Sequence, residues 1–131
     1  MKNIIVFLSI AIFISVALAY AAEDKKQELS PAQKIMQARV VWLTAMNKNL
    51  EAKNFKAIMK DADEMAAEGI TTAGKLDNPL AKQITMDSAA LAKDVSKAAA
   101  KGDADTIKTK LGEIKAKCGE CHVTIRDKDK K

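Results

Sequence analysis

From Met36 onward, apolar residues recur at spacings of three and four, the period of a helix with one buried face. Nowhere do apolar and polar residues alternate as they would along a strand. Four such stripes follow one another. The first runs through Met36, Val40, Leu43, Met46 or Asn47, and Leu50, on a helix expected from Ser30-Pro31 to about Glu51. Ser30 is a good N-cap there, and Pro31 suits the first helical position. Lys53-Asn54 breaks the pattern. Phe55, Ile58, Met59, Ala62, Met65 and Ala66 form the second stripe, which the stretch from Gly69 to Gly74 closes. Asp77-Asn78-Pro79 is a cap followed by a proline and starts the third helix. Its stripe is Leu80, Ile84, Leu91, Val95 and Ala98, and Gly102 ends it. Asp103 is placed to cap a fourth, with Ala104, Ile107, Leu111, Ile114, Cys118, Cys121 or His122, and Ile125 on one face. Short links force consecutive helices to run antiparallel, so the fold class expected is an all-α, antiparallel up-down-up-down four-helix bundle. The Lys53 turn and the Gly102 turn then lie at the same end of it.

A different pattern precedes these helices. Met1-Lys2-Asn3 is a short positive start, and Ile4 to Leu18 is apolar apart from Ser9 and Ser15. Ala19-Tyr20-Ala21 then offers a small-residue cleavage site before the polar Glu23-Asp24-Lys25-Lys26. This is the layout of a secretory signal peptide over residues 1–21, leaving residues 22–131 as one exported domain. The rival is an uncleaved membrane anchor, since the run is nearly long enough to span. Cleavage is favoured because the small residues sit where a peptidase needs them. No membrane association is then expected of the mature chain.

Composition sharpens the picture. Among 131 residues there are three Phe, one Trp and one Tyr, and most of these lie in the leader; Trp42 and Phe55 remain. Such a chain has either a small, Ala-rich core or a core filled partly by something other than amino acids. The net charge of +5 is too small and too scattered for a nucleic-acid-binding stripe. Acidic residues form no pocket-like pair, and a single His allows no Ser/His/Asp constellation if it is used elsewhere, so no enzyme is expected.

The chemistry lies in Cys118-Gly119-Glu120-Cys121-His122, a C-x-x-C-H sequence whose specific reading is covalent attachment of c-type haem. Each thiol adds across a haem vinyl group, and the adjacent His supplies a nitrogen to iron. Residues three and four apart share a helix face, so the spacing suits a helix. Haem would also supply the missing apolar bulk. Three other readings compete. A thioredoxin-like dithiol belongs at a helix start in a βαβ fold. A structural zinc site needs four ligands in most cases, and two Cys with one His are all this chain offers. A disulfide would close a very small loop and stabilise little.

A leader, four helices and a C-x-x-C-H in the last turns of the last helix resemble the class II c-type cytochromes. That family contains the five-coordinate cytochromes c prime and low-spin, six-coordinate relatives. The similarity is best from Gly102 to Arg126: Gly-Asp precedes the helix, and Arg126 follows His122 by four residues, as in the family's C-H-x-x-x-R. Ile125 stands where the family usually has an aromatic residue, and the link between helices two and three is short. The resemblance implies one covalent haem c held by Cys118, Cys121 and His122, with Arg126 beside it. It implies a periplasmic location, redox partner proteins, and a monomer or a homodimer through helices one and two.

The residue opposite His122 decides between two functions. In this family it comes from helix one: Met in electron carriers, typically an apolar residue in gas-binding members. The family's Arg-x-x-x-(Leu or Met) spacing selects Leu43 through Arg39 and implies an open site for nitric oxide or carbon monoxide. Geometry selects Met36. At 1.5 Å per residue, His122 lies roughly 30 Å beyond the Gly102 turn, Met36 about 26 Å from that end, Leu43 about 15 Å and Met46 about 10 Å. A side chain that binds iron must be nearly level with it, so Met36 is favoured, and with it an electron carrier. Arg39 and Lys34 are either partners for haem carboxylates or parts of a solvated face. Lys115, Lys117, Lys128, Lys130 and Lys131 flank the motif and are expected to form a basic rim for acidic partners.

Overall fold

A computed structural model describes Leu29 and residues 31–126. The expected leader, its cleavage site and the Ser30 cap lie outside the described residues. Four α-helices follow in order: α1 Pro31–Glu51, α2 Phe55–Ala73, α3 Pro79–Ala100 and α4 Ala104–Cys121, with a π-helical turn at His122–Arg126. Each helix packs against the next, and α1 also meets α4, most lightly of these pairs. Among the described residues, no helix is long and apolar enough to cross a membrane.

The ends of the helices follow from local chemistry. Asn54 accepts from the backbone N–H of Ala57, Asn78 from those of Leu80 and Ala81, and Asp103 from that of Thr106. Each satisfies donors that the first turn leaves open. α1 and α3 both stop in a left-handed residue. Gly102 (φ 67°) does so after α3, with its N–H on the Ala99 carbonyl and that of Asp103 on Ala98. Lys53 (φ 54°) does so after α1, with the same two bonds to Leu50 and Asn49. The ring of Phe55 lies against the Cα of Gly102, so the two turns share one end of the bundle as expected.

The core at that end is Ala-rich and contains no fully buried aromatic residue. Met46, Ile58, Ala62, Met65, Ala66, Ala92, Val95, Ala98, Ala99, Ile107, Leu111 and Ile114 form one cluster, with Trp42, Leu43, Leu50 and Phe55 packed against it. Small residues let the helices come close, so few large side chains are needed. Gly69 shows this directly. A Cβ there would stand 3.0 Å from that of Ala89 on α3. α2 runs through Gly69 and ends at Ala73, inside the Gly69-to-Gly74 stretch expected to close it.

Three positions differ from the expected stripes. Val40 is 63% exposed, Leu80 is 44% exposed and Ala104 is exposed, although all three fit the apolar period. The buried line of α1 runs instead through Met36, Arg39, Leu43, Met46 and Leu50. Its spacing is as regular as the expected one, but a charged residue occupies the second position.

Candidate functional site

α4 carries Cys118 and Cys121 in its last turn, and His122 follows at its end. The three side chains are half-buried, and both thiols are free of any disulfide. The backbone N–H of His122 is shared between the carbonyls of Cys118 and Gly119. The chain then widens into the π turn, where N–H groups reach five residues back instead of four. Thr124 compensates: its hydroxyl donates to the Glu120 carbonyl at 2.7 Å, an acceptor that α-helical geometry would pair with a backbone N–H.

From α1, Met36 reaches the same place. Its Sδ lies 3.3 Å from Nε2 of His122. The contact joins residues 86 apart in sequence, at the end of the bundle away from the Lys53 and Gly102 turns.

Arg39, one turn further along α1, is the largest departure from expectation. It is only 9% exposed, and its Nη2 has no hydrogen-bond partner. It therefore does not belong to a solvated face. Burial lowers the pKa of its guanidinium, and the nearby Cys118 and Cys121 oppose that shift. A guanidinium nonetheless keeps its proton at any ordinary pH. Burial also pushes the Cys121 thiol up, against the pull of Arg39, and Cys118 and Glu120 add to the rise.

Two of the five lysines expected to form a basic rim, Lys115 and Lys117, lie among the described residues. Lys117 is bound to Glu120 at 2.9 Å and to Asp87 of α3 at 3.3 Å. Its hydrogen bond to Glu120, and then that to Asp87, hold its ammonium above the usual lysine range. It ties α4 to α3 rather than facing a partner. Lys115 is exposed; Lys128, Lys130 and Lys131 lie outside the described residues.

Met36, Arg39, Cys118, Cys121 and His122 thus come together from two helices. Leu43 packs, half-buried, on the apolar cluster. Of Arg126 the backbone closes the π turn, and its side chain lies outside the described residues. Met59 is half-buried, Met65 buried and Met86 exposed, in keeping with packing or surface positions. Among the described residues, no group of three His, Cys, Asp or Glu side chains is arranged to hold a metal ion. A shallow cleft of about 400 Å³ between α3 and α4, lined by Asp87, Leu91, Asp94, Glu113 and Lys117, includes none of the five. No known protein family, curated protein or solved structure matches this chain.

Proposed function

We propose that the chain is a monohaem c-type cytochrome that carries electrons between exported redox proteins in the periplasm. Cys118 and Cys121 would be the attachment points, and His122 and Met36 would hold the iron. The approach of Met36 Sδ to His122 Nε2, 3.3 Å, carries this reading. It brings together a nitrogen and a thioether sulfur from opposite helices beside a C-x-x-C-H.

The residues present fit such a group. Met36 Sδ and His122 Nε2 stand in direct contact at 3.3 Å, so the two side chains would have to part to admit an ion, at the lightest of the helix contacts. The buried Nη2 of Arg39 lacks a partner, and a porphyrin carries carboxylates that would satisfy it. Both cysteines are unbridged thiols, the form that adds to a vinyl group.

Bound there, haem supplies a one-electron couple that needs no proton and breaks no bond. The chain's residues set its terms. A Met36 thioether on the iron would exclude gases and favour the reduced state. His122 is held by the end of α4 and the π turn that follows. Cys118 and Cys121 would fix the group so that it does not exchange.

The intact mass of protein exported from a host with c-type maturation tests this. The expected mass is that of the leaderless polypeptide plus one haem, resistant to acid-acetone. The bare polypeptide mass, or complete extraction of the pigment, contradicts it.

A further inference from the structure

We propose that Arg39 sets the driving force of this site, as a buried positive charge that raises the reduction potential of the iron held by Met36 and His122. The proposal rests on the haem reading above and adds a role for a residue that neither binds iron nor attaches the group.

The argument starts from burial. Arg39 is more than nine-tenths buried, yet its Nη2 has no partner. A buried, incompletely paired guanidinium is costly. Among the described residues, no acid forms an ion pair with it. Its neighbours are the two thiols that would become neutral thioethers, and it lies one helical turn from the methionine that touches His122.

Position then fixes the sign. Reduction adds one electron, supplied by a donor protein, and lowers the charge at the iron by one. A fixed positive charge in a site of low polarity favours the state with less positive charge. Arg39 cannot escape by losing its proton, so the bias is present across the working pH range. Pairing with a haem carboxylate leaves the sign unchanged. Removing Arg39 would then leave that carboxylate uncompensated, and the oxidised state would gain by it. Either way the potential falls when the charge is removed.

This also gives α1 a logic. Its buried line places Met36 and Arg39 three residues apart, so one helix face delivers both the ligand and the charge. Both effects act in the same direction, toward a higher potential.

The test compares three haem-loaded proteins: the unaltered chain, Arg39→Lys and Arg39→Met. Their potentials are measured by redox titration, with reduced spectra and carbon monoxide response recorded alongside. The expected result is a clear downward shift for Arg39→Met and a value near the original for Arg39→Lys, both with low-spin spectra. A role in packing alone predicts that both variants lose thermal stability and that neither shifts the potential; that outcome overturns the proposal. An unchanged potential in Arg39→Met overturns it as well. If Arg39→Met takes up no haem, Arg39→Gln replaces it. Should neither neutral variant load while Arg39→Lys does, the charge serves assembly, and the tuning role is rejected. Failure of the haem reading looks different, since the unaltered chain would then contain no covalent haem to titrate.

Discussion

Two methionines on one helix have opposite expected roles. Met36 touches His122, whereas Met46 is wholly buried in the apolar cluster. Replacing Met36 by Ala should open the sixth position, lower the potential and let carbon monoxide bind to the reduced protein. Met46→Ala should leave spectrum and potential alone and cost about 2–5 kcal/mol of stability, the range for truncating a buried methionine, measured by urea unfolding. A low-spin spectrum that survives Met36→Ala would mean that another side chain holds the iron. At this scale the sequence was informative where chemistry is written in residue type. C-x-x-C-H needs no structure to be seen, and counting helix rise from a shared end singled out Met36. Arg39 was harder to see because a charged side chain is normally assigned to water. Its spacing from Met36 and Leu43 was the available sign, and Val40, equally well spaced and more apolar, concealed it.

Among the elements, α1 and α4 build the site, and their ends show where stability can be altered without touching it. Lys53 adopts a left-handed conformation that costs a residue with a Cβ roughly 1–2 kcal/mol. Lys53→Gly should therefore stabilise the protein by about 1 kcal/mol, read as a higher urea midpoint, without altering the spectrum. Asp103 caps α4 at the opposite end from His122. Hydrogen bonds from Thr106, first from its side chain and then from its backbone, hold the Asp103 carboxyl below the usual range. Folding thus favours the charged form. The contribution is complete above the unfolded-state value, roughly 3.9, and is lost as pH falls through the lower folded value. Unfolding measured across that acid window should show a smaller loss of stability with falling pH in Asp103→Asn than in the original chain. An identical slope in the two proteins would show that the cap does not titrate with folding. The caps at Asn78-Pro79 and Gly102-Asp103 were legible; Asn54 marked only a break in the sequence, and its capping of α2 is seen in the structure. The end of α2 between Gly69 and Gly74 was legible too, but the close approach of Gly69 to Ala89 was not. The π turn after Cys121 leaves no mark in the apolar period either; Thr124, whose hydroxyl accommodates it, is its nearest sign.

Across the described residues, the main apolar cluster and the candidate site lie toward opposite ends. The Ala-rich cluster lies toward the Lys53 and Gly102 turns, and Met36 meets His122 at the other end. Of the two cores that the scarcity of aromatics allowed, the small Ala-rich one is present, so the chain does not depend on haem for all of its packing. A haem-free Cys118→Ala/Cys121→Ala protein is expected to stay helical. Its early α1 amides should exchange much faster than those of α3, which packs closely on both neighbours. Uniform protection across all four helices would show instead that the site end is as well packed as the rest. The electron-carrier reading itself depends on what closes the sixth position of the iron. The absorption spectrum of the reduced, haem-loaded protein, recorded before and after carbon monoxide, tests it most directly. Ligation by His122 and Met36 predicts sharp low-spin bands that carbon monoxide leaves unchanged. A broad high-spin band that sharpens when carbon monoxide is added would contradict it and establish an open, gas-binding iron.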